Sequence, residues 1–321
     1  MRTAPFARFE WMIAWRYLRA KRAEGGVSVM TWISLVGITL AVFALIATLA
    51  VRTGFREEFV DTILGANAHV SLYSAQYMTE SGAMSRDIVD FEEMTDRVAQ
   101  VPGVIRAAPL IKGQVMASAQ GNTSGVEVFG IRPDDLMTIP RVADPQESWG
   151  DIDRFGAEGV PGIAIGSGVS RELQATVGDV VQLISPNGVK TAFGTSPRVS
   201  NYEIVYVFTA GRYDIDRTRV YMPFTEAQTY FNQEGVADEI EVMVEAPERV
   251  DALAPSLLSA AGDQVLAWTW RDASGAFLRA LDIEDNVMFV ILSVLVLIAA
   301  MNIISGLIML VKNKGRDIGI L

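Results

Sequence analysis

A chain of 321 residues, half of them hydrophobic, that still carries a formal net charge of −11 cannot mix the two properties evenly and is not soluble throughout. The acidity excludes nucleic acid, which needs a basic face. The absence of cysteine excludes disulfides and thiolate metal sites, so any folded domain rests on its core alone.

In chain order, residues 6–22 carry apolar side chains at near-helical spacing with arginines between them. This predicts an interfacial helix on a membrane surface, with Trp11, Trp15 and Tyr17 at headgroup level. An ordinary amphipathic soluble helix is the alternative, weakened by the long apolar run a few residues later. Residues 27–51 are 25 positions without a charge, and residues 287–311 are another such run. Each would be roughly 37 Å long as a helix, enough to cross a hydrocarbon core of about 30 Å. The first run is too long, and its charged lead-in too extended, for a cleaved signal peptide. A buried soluble helix of this length without a charge is rare. Nine of the 27 basic residues and only three of the 38 acidic ones lie outside the interval 27–311. The positive ends are therefore expected in the cytoplasm and the acidic interval 52–286 outside.

After the first run the helical period continues, with Phe55, Phe59 and Ile63 on one side and Gly65 as the stop, which predicts a stalk beyond the bilayer. From His69 the pattern becomes short strands and helices. Strands are expected at 70–73, 180–185, 203–209, 220–222 and 240–244, with a hairpin of 115–119 and 126–131 around G-N-T-S-G. Helices are expected at 91–100, 226–231 and 249–261. The segments 156–162 and 188–200 read as loops. The fold class is a membrane protein with two transmembrane α-helices flanking a large α+β outer domain of two lobes. The divisions are 1–26, 27–51, 52–286, 287–311 and 312–321.

No chemistry emerges from the motifs. Gly166-Ser167-Gly168 lacks the third glycine of a dinucleotide loop and reads as a tight turn and helix cap. There is no phosphate loop and no G-x-S-x-G. His69 is the only histidine; a Ser-His-Asp triad would have to use it, and beside a strand it reads as structural. The carboxylates sit as solvated faces, and no loop alternates them as a calcium site requires. No catalytic or metal residue is assigned. The informative pattern lies in the membrane: Ser34, Gly37, Ala41, Ala44 and Thr48 fall on one face of the first span. Such a stripe admits a neighbouring helix or leaves a groove for an acyl chain. Asn302, Ser305 and Gly306 in the second span read as interhelical contacts.

Three stretches resemble the LolC/LolE family of lipoprotein-releasing permeases, among the MacB-like ABC transporters. These are F-E-W-M-I-A-W-R-Y-L-R-A-K-R (9–22) with the S-V-M-T-W-I-S-L-V-G-I after it, then G-F-R-E-E-F-V-D-T-I-L-G-A-N-A-H-V, and M-N-I-I-S-G-L-I-M-L-V-K-N-K-G-R-D-I-G-I-L at the end. I-S-P-N-G-V-K-T-A-F-G-T-S-P-R (184–198) resembles the family's outer loop, the hook, with Ala192 where the family carries a proline. The resemblance implies a bacterial inner-membrane protein with a periplasmic central domain and a hook-like loop over 186–201, in which Lys190, Phe193, Gly194, Pro197 and Arg198 bind a LolA-like periplasmic chaperone. It also implies that Lys314, Arg316, Asp317, Ile318 and Leu321 begin a cytoplasmic coupling helix that docks on a separate LolD-like ATPase. Two further spans are expected beyond Leu321, which makes this sequence a fragment. The implied partners are that ATPase, which holds ATP and Mg, a second permease subunit of the same or related type, and triacylated lipoproteins. No cofactor is implied for the chain itself, which is then not an enzyme. The rival readings are another MacB-like permease, either an exporter or an FtsX-like regulator, and a two-span sensor without its signalling module.

Overall fold

The computed structural model describes residues 11–13, 15–16, 25–65, 67–78, 82, 84–157, 162–191 and 194–318. The chain divides into two compact units, residues 1–57 with 276–321, and residues 58–275.

Two long helices dominate the first unit, α1 (Gly25–Leu64) and α2 (Gly275–Ile318). Neither contains proline. Their apolar side chains point outward on all sides, as with Phe43 and Phe289, which are 69% and 72% exposed. A helix apolar all round requires an apolar surround, and the windows Leu35–Phe55 and Gly275–Ile308 are long and apolar enough to cross a membrane. Two hydroxyls on these helices are satisfied within them: Thr39 donates to the Leu35 carbonyl at 2.8 Å and Ser293 to that of Phe289 at 2.7 Å. That internal pairing is what a lipid environment demands. Of the expected interfacial helix, residues 11–13 and 15–16 are helical and exposed; the remainder lies outside the described residues.

The second unit is built on strands β1 (Val70–Ser74), β2 (Tyr77–Met78), β3 (Met84–Ser85), β4 (Val104–Ala119), β5 (Asn122–Ile131), β6 (Glu147–Gly150), β7 (Gly162–Gly166), β8 (Val180–Thr191), β9 (Gly194–Thr209), β10 (Arg219–Pro223), β11 (Glu239–Val244) and β12 (Val265–Thr269). The long strand β4 belongs to two lobes. Its first half pairs with β11 in a sheet ordered β12-β1-β11-β4. One face of that sheet buries Val70, Leu72, Ile240 and Val242 against helices Phe91–Ala99 and Val250–Ala261. The second half of β4 pairs with β5 on one side and β8 on the other, and the ladder closes as β4-β5-β10-β7-β9-β8. This six-stranded ring leaves its members no open edge, and in its core the Tyr221 ring contacts those of both Phe129 and Phe208.

Differences from the expected elements have local causes. Gln120 and Gly121 both take positive φ, 51° and 81°, and make a two-residue turn, so β5 resumes at Asn122, inside the G-N-T-S-G expected as loop. Gly166 caps helix Ser167–Leu173, and a side chain at Gly166 or Gly168 would collide with the Asp216 backbone, so the two glycines serve close packing. The segment that leaves α1 is fastened to the domain: the Arg141 amide donates to the Gly65 carbonyl at 3.0 Å, and both Arg219 terminal nitrogens reach Asn67 Oδ1 at 3.3 Å. Arg219 also lies over the Phe129 ring, 4.1 Å from its centroid.

Candidate functional site

His69 is structural. Its Nδ1 accepts the Val244 amide at 2.9 Å and its carbonyl accepts the Trp270 amide at 2.9 Å, which ties the strand entering the domain to the segment leaving it. Burial lowers its pKa, consistent with a neutral ring that accepts a backbone N–H. Among the described residues no group of three or more His, Asp or Glu could hold a metal ion.

The stretch 186–201, expected as a long irregular connection, is instead an extended hairpin, a correction to the sequence reading. Strands β8 and β9 pair from Val180↔Glu203 to Ser185↔Arg198, shift, and pair again from Val189↔Ser196 to Thr191↔Gly194. At the shift Pro186, Asn187 and Gly188 face Pro197 alone, so both prolines sit in a bulge, where a missing N–H removes nothing from the ladder. Gly188 is buried there, and a Cβ on it would collide with the Ser196 carbonyl oxygen and the Arg198 amide nitrogen. Gly188→Val is therefore expected to unpair the arm at an overpacking cost of about 1–3 kcal/mol. Faster amide exchange over 194–200 would report it, and unchanged exchange would refute it.

Arg198 is engaged inside the molecule. Its guanidinium donates to the Thr229 carbonyl and, at 2.7 Å, to Asn232 Oδ1. Asn232 in turn reaches the Gly188 carbonyl at 3.5 Å and closes helix Phe224–Phe231 in a left-handed conformation, φ 56°. A cation at a helix C-terminus is favourably placed. Lys190 and Gly194 lie on the paired strands and Pro197 is exposed; Phe193 lies outside the described residues.

In the membrane unit Ser34, Gly37, Ala41, Ala44 and Thr48 are all helical. A Cβ on Gly37 would meet nothing within 4 Å, Ala44 is exposed, and Ala41 and Thr48 are half-buried. Thr48 lines a cleft of about 420 Å³, formed with Ala47, Val51 and Phe55 of α1 and Leu281 and Met288 of α2. Its charged lining is Arg52, Glu284 and Asp285, with Arg52 and Asp285 in direct ion contact. Sequence reasoning passed over this pair, although each member is the first charge beyond, or just beyond, an uncharged run. Near its C-terminal end α2 does not break at Lys312, where the sequence was expected to leave one segment and begin another. Lys314, Arg316, Asp317 and Ile318 continue the same helix, and Leu321 lies outside the described residues.

The family described as MacB-like periplasmic core domain matches residues 31–260. The LolC lipoprotein-releasing system transmembrane protein of Neisseria meningitidis serogroup B is 29% identical over 318 residues, which cover 97% of this chain and 73% of that protein. LolE of Haemophilus influenzae is 27% identical over 317 residues, again 97% and 73%. The chain belongs to the MacB-like family, on its LolC/LolE side. The macrolide export ATP-binding/permease protein MacB of Nitrosomonas europaea is more distant, 24% identical over 323 residues, which are 96% of this chain and 45% of that protein.

Proposed function

We propose that the chain is a permease subunit of an ATP-driven ABC complex that draws mature triacylated lipoproteins from the outer leaflet of the inner membrane and passes them to a LolA-like periplasmic chaperone. The observation that carries this reading is similarity to LolC and LolE proteins along nearly the whole chain, spans and outer domain together. A two-span sensor does not account for that continuity, and an exporter is less well supported, because the MacB relative is more distant and shares under half its length. In this reading ATP and Mg belong to a LolD-like ATPase, and a second permease subunit completes the membrane part. The stripe of Ser34, Gly37, Ala41, Ala44 and Thr48 faces acyl chains or that subunit's helix. The two ends of the chain lie in the cytoplasm, in keeping with the positive residues there.

The test is ATP-dependent transfer of a triacylated lipoprotein from proteoliposomes to soluble chaperone by the complete complex. No transfer with any ATPase and permease pairing, while the same preparation moves a macrolide or peptide, would replace this reading with the exporter. Coupling is tested in the same assay. Arg316→Glu or Ile318→Asp is expected to abolish transfer while membrane insertion and ATP hydrolysis persist. Undiminished transfer by both variants would remove the cytoplasmic end of α2 from the coupling path.

A further inference from the structure

Arg52 and Asp285 stand at the outer limits of the two uncharged runs, where a membrane-spanning helix meets the interface. They belong to different helices, and the structure joins them. Each keeps about a third of its side-chain surface, 32% and 31%, so the contact is neither a fully solvated pair nor a buried one. It crosses the cleft part-way along, with Ala47, Thr48 and Met288 before it and Phe55 and Leu281 beyond it along the two helices. A pair between apolar walls is screened less than one in bulk water, so it can hold two helices at a chosen level, yet it remains weak enough to open. We propose that Arg52 and Asp285 are a latch between the two spans. Closed, it holds the two helices together and divides the cleft; open, it admits an acyl chain past Thr48 and Val51. Glu284 also lines the cleft and offers the guanidinium a second carboxylate as the pair separates. The acyl occupant rests on the lipoprotein-release reading, whereas the latch itself does not.

Because the chain has no cysteine, two labels can be placed at will. Spin labels at Thr53→Cys and Ile283→Cys, in the assembled complex in nanodiscs, report the separation of the two helices. Arg52→Gln, and Asp285→Asn with and without Glu284→Gln, are expected to lengthen and broaden that distance. The exchange Arg52→Asp with Asp285→Arg is expected to restore it, which a merely space-filling role would not do. A photo-crosslinker at Ala47 should then capture a synthetic triacylated lipopeptide more often in the neutralised variants. A short reducible bis-thiol crosslinker joining Arg52→Cys to Asp285→Cys, positions that meet only through the long arginine side chain, should abolish capture until it is cleaved. Unchanged distances in the neutralised variants, or failure of the exchange to restore them, would overturn the latch. Distances that respond as expected while no variant captures lipopeptide would leave the latch standing and count against lipoprotein release.

Discussion

Glu241→Ala is expected to lower the melting temperature of the outer domain by about 10 °C, on a loss of roughly 3–5 kcal/mol for an ion left buried without its partner. Arg106 and Glu241 lie on neighbouring strands of the first lobe, Nη2 to Oε2 at 3.2 Å, and their side chains are 5% and 11% exposed. They occupy the face of the sheet opposite the two helices, together with Glu239, which is only 1% exposed. Burial pushes the Glu239 carboxyl up, against the attraction of Lys112 3.8 Å away, and the Glu241 charge pushes it further. Removal of Glu241 therefore makes Glu239 easier to ionise, and Asp135, whose carboxyl the Arg106 charge already favours in its ionised form, answers part of the positive charge left on Arg106. That compensation places the expected loss near the lower end of the range. Replacing both partners, Arg106→Met with Glu241→Leu, should be far milder, since no desolvated charge remains. The comparison is made by thermal unfolding of the whole chain in detergent. Equal melting temperatures for Glu241→Ala and the parent would show that water already solvates the pair.

Much of the architecture is written in local pattern, and the elements that escape it do so for physical reasons. The helix that runs on past the membrane to Leu64 is readable because Phe55, Phe59 and Ile63 hold the helical period and Gly65 ends it. Strand β1 is readable from its apolar alternation. Strand β6, Glu-Ser-Trp-Gly, is exposed at every position, so no burial pattern marks it; it exists by pairing with β9. Strand β7, Gly-Ile-Ala-Ile-Gly, is buried at every position and ends in glycines that read as turn formers. The arm is hidden in the same way, since Pro186, Gly188 and Pro197 are loop signals that a bulge absorbs. Closure of the ring by β8 against β4, and the meeting of Arg198 with Asn232, join residues far apart in sequence. No periodicity encodes such contacts. The same holds for Arg52 and Asp285, whose types and positions are visible in the sequence but whose meeting is not.

If the arm docks a periplasmic chaperone, as the proposed lipoprotein-release reading implies, Phe193→Ala is expected to weaken that binding by about 30-fold, the loss of roughly 2 kcal/mol that follows truncation of a desolvated aromatic anchor. In sequence Phe193 falls between Thr191 and Gly194, the last pair of the ladder among the described residues, and no periodic element is there to bury a large apolar side chain. For Arg198 the sequence alone points to a charged contact at the rim of the same interface, and the structure changes the expected outcome. A rim charge would alter association rate and salt dependence. Arg198 instead donates to Thr229 and Asn232 and holds the root of the arm to helix Phe224–Phe231. Arg198→Ala should then speed amide exchange over 194–200 and weaken chaperone binding indirectly, through an arm less fixed before contact, with the salt dependence of association retained. Arg198→Lys should not restore the parent behaviour, because one ammonium does not reproduce a planar fork that serves a carbonyl and an amide together. Phe193→Ala should leave exchange at the root untouched. The two substitutions thus separate contact from support in one pair of measurements, binding and exchange. Deletion of 190–197 should lose binding altogether; if the chaperone binds equally well without those residues, the arm is a spacer and the contact surface lies elsewhere on the domain.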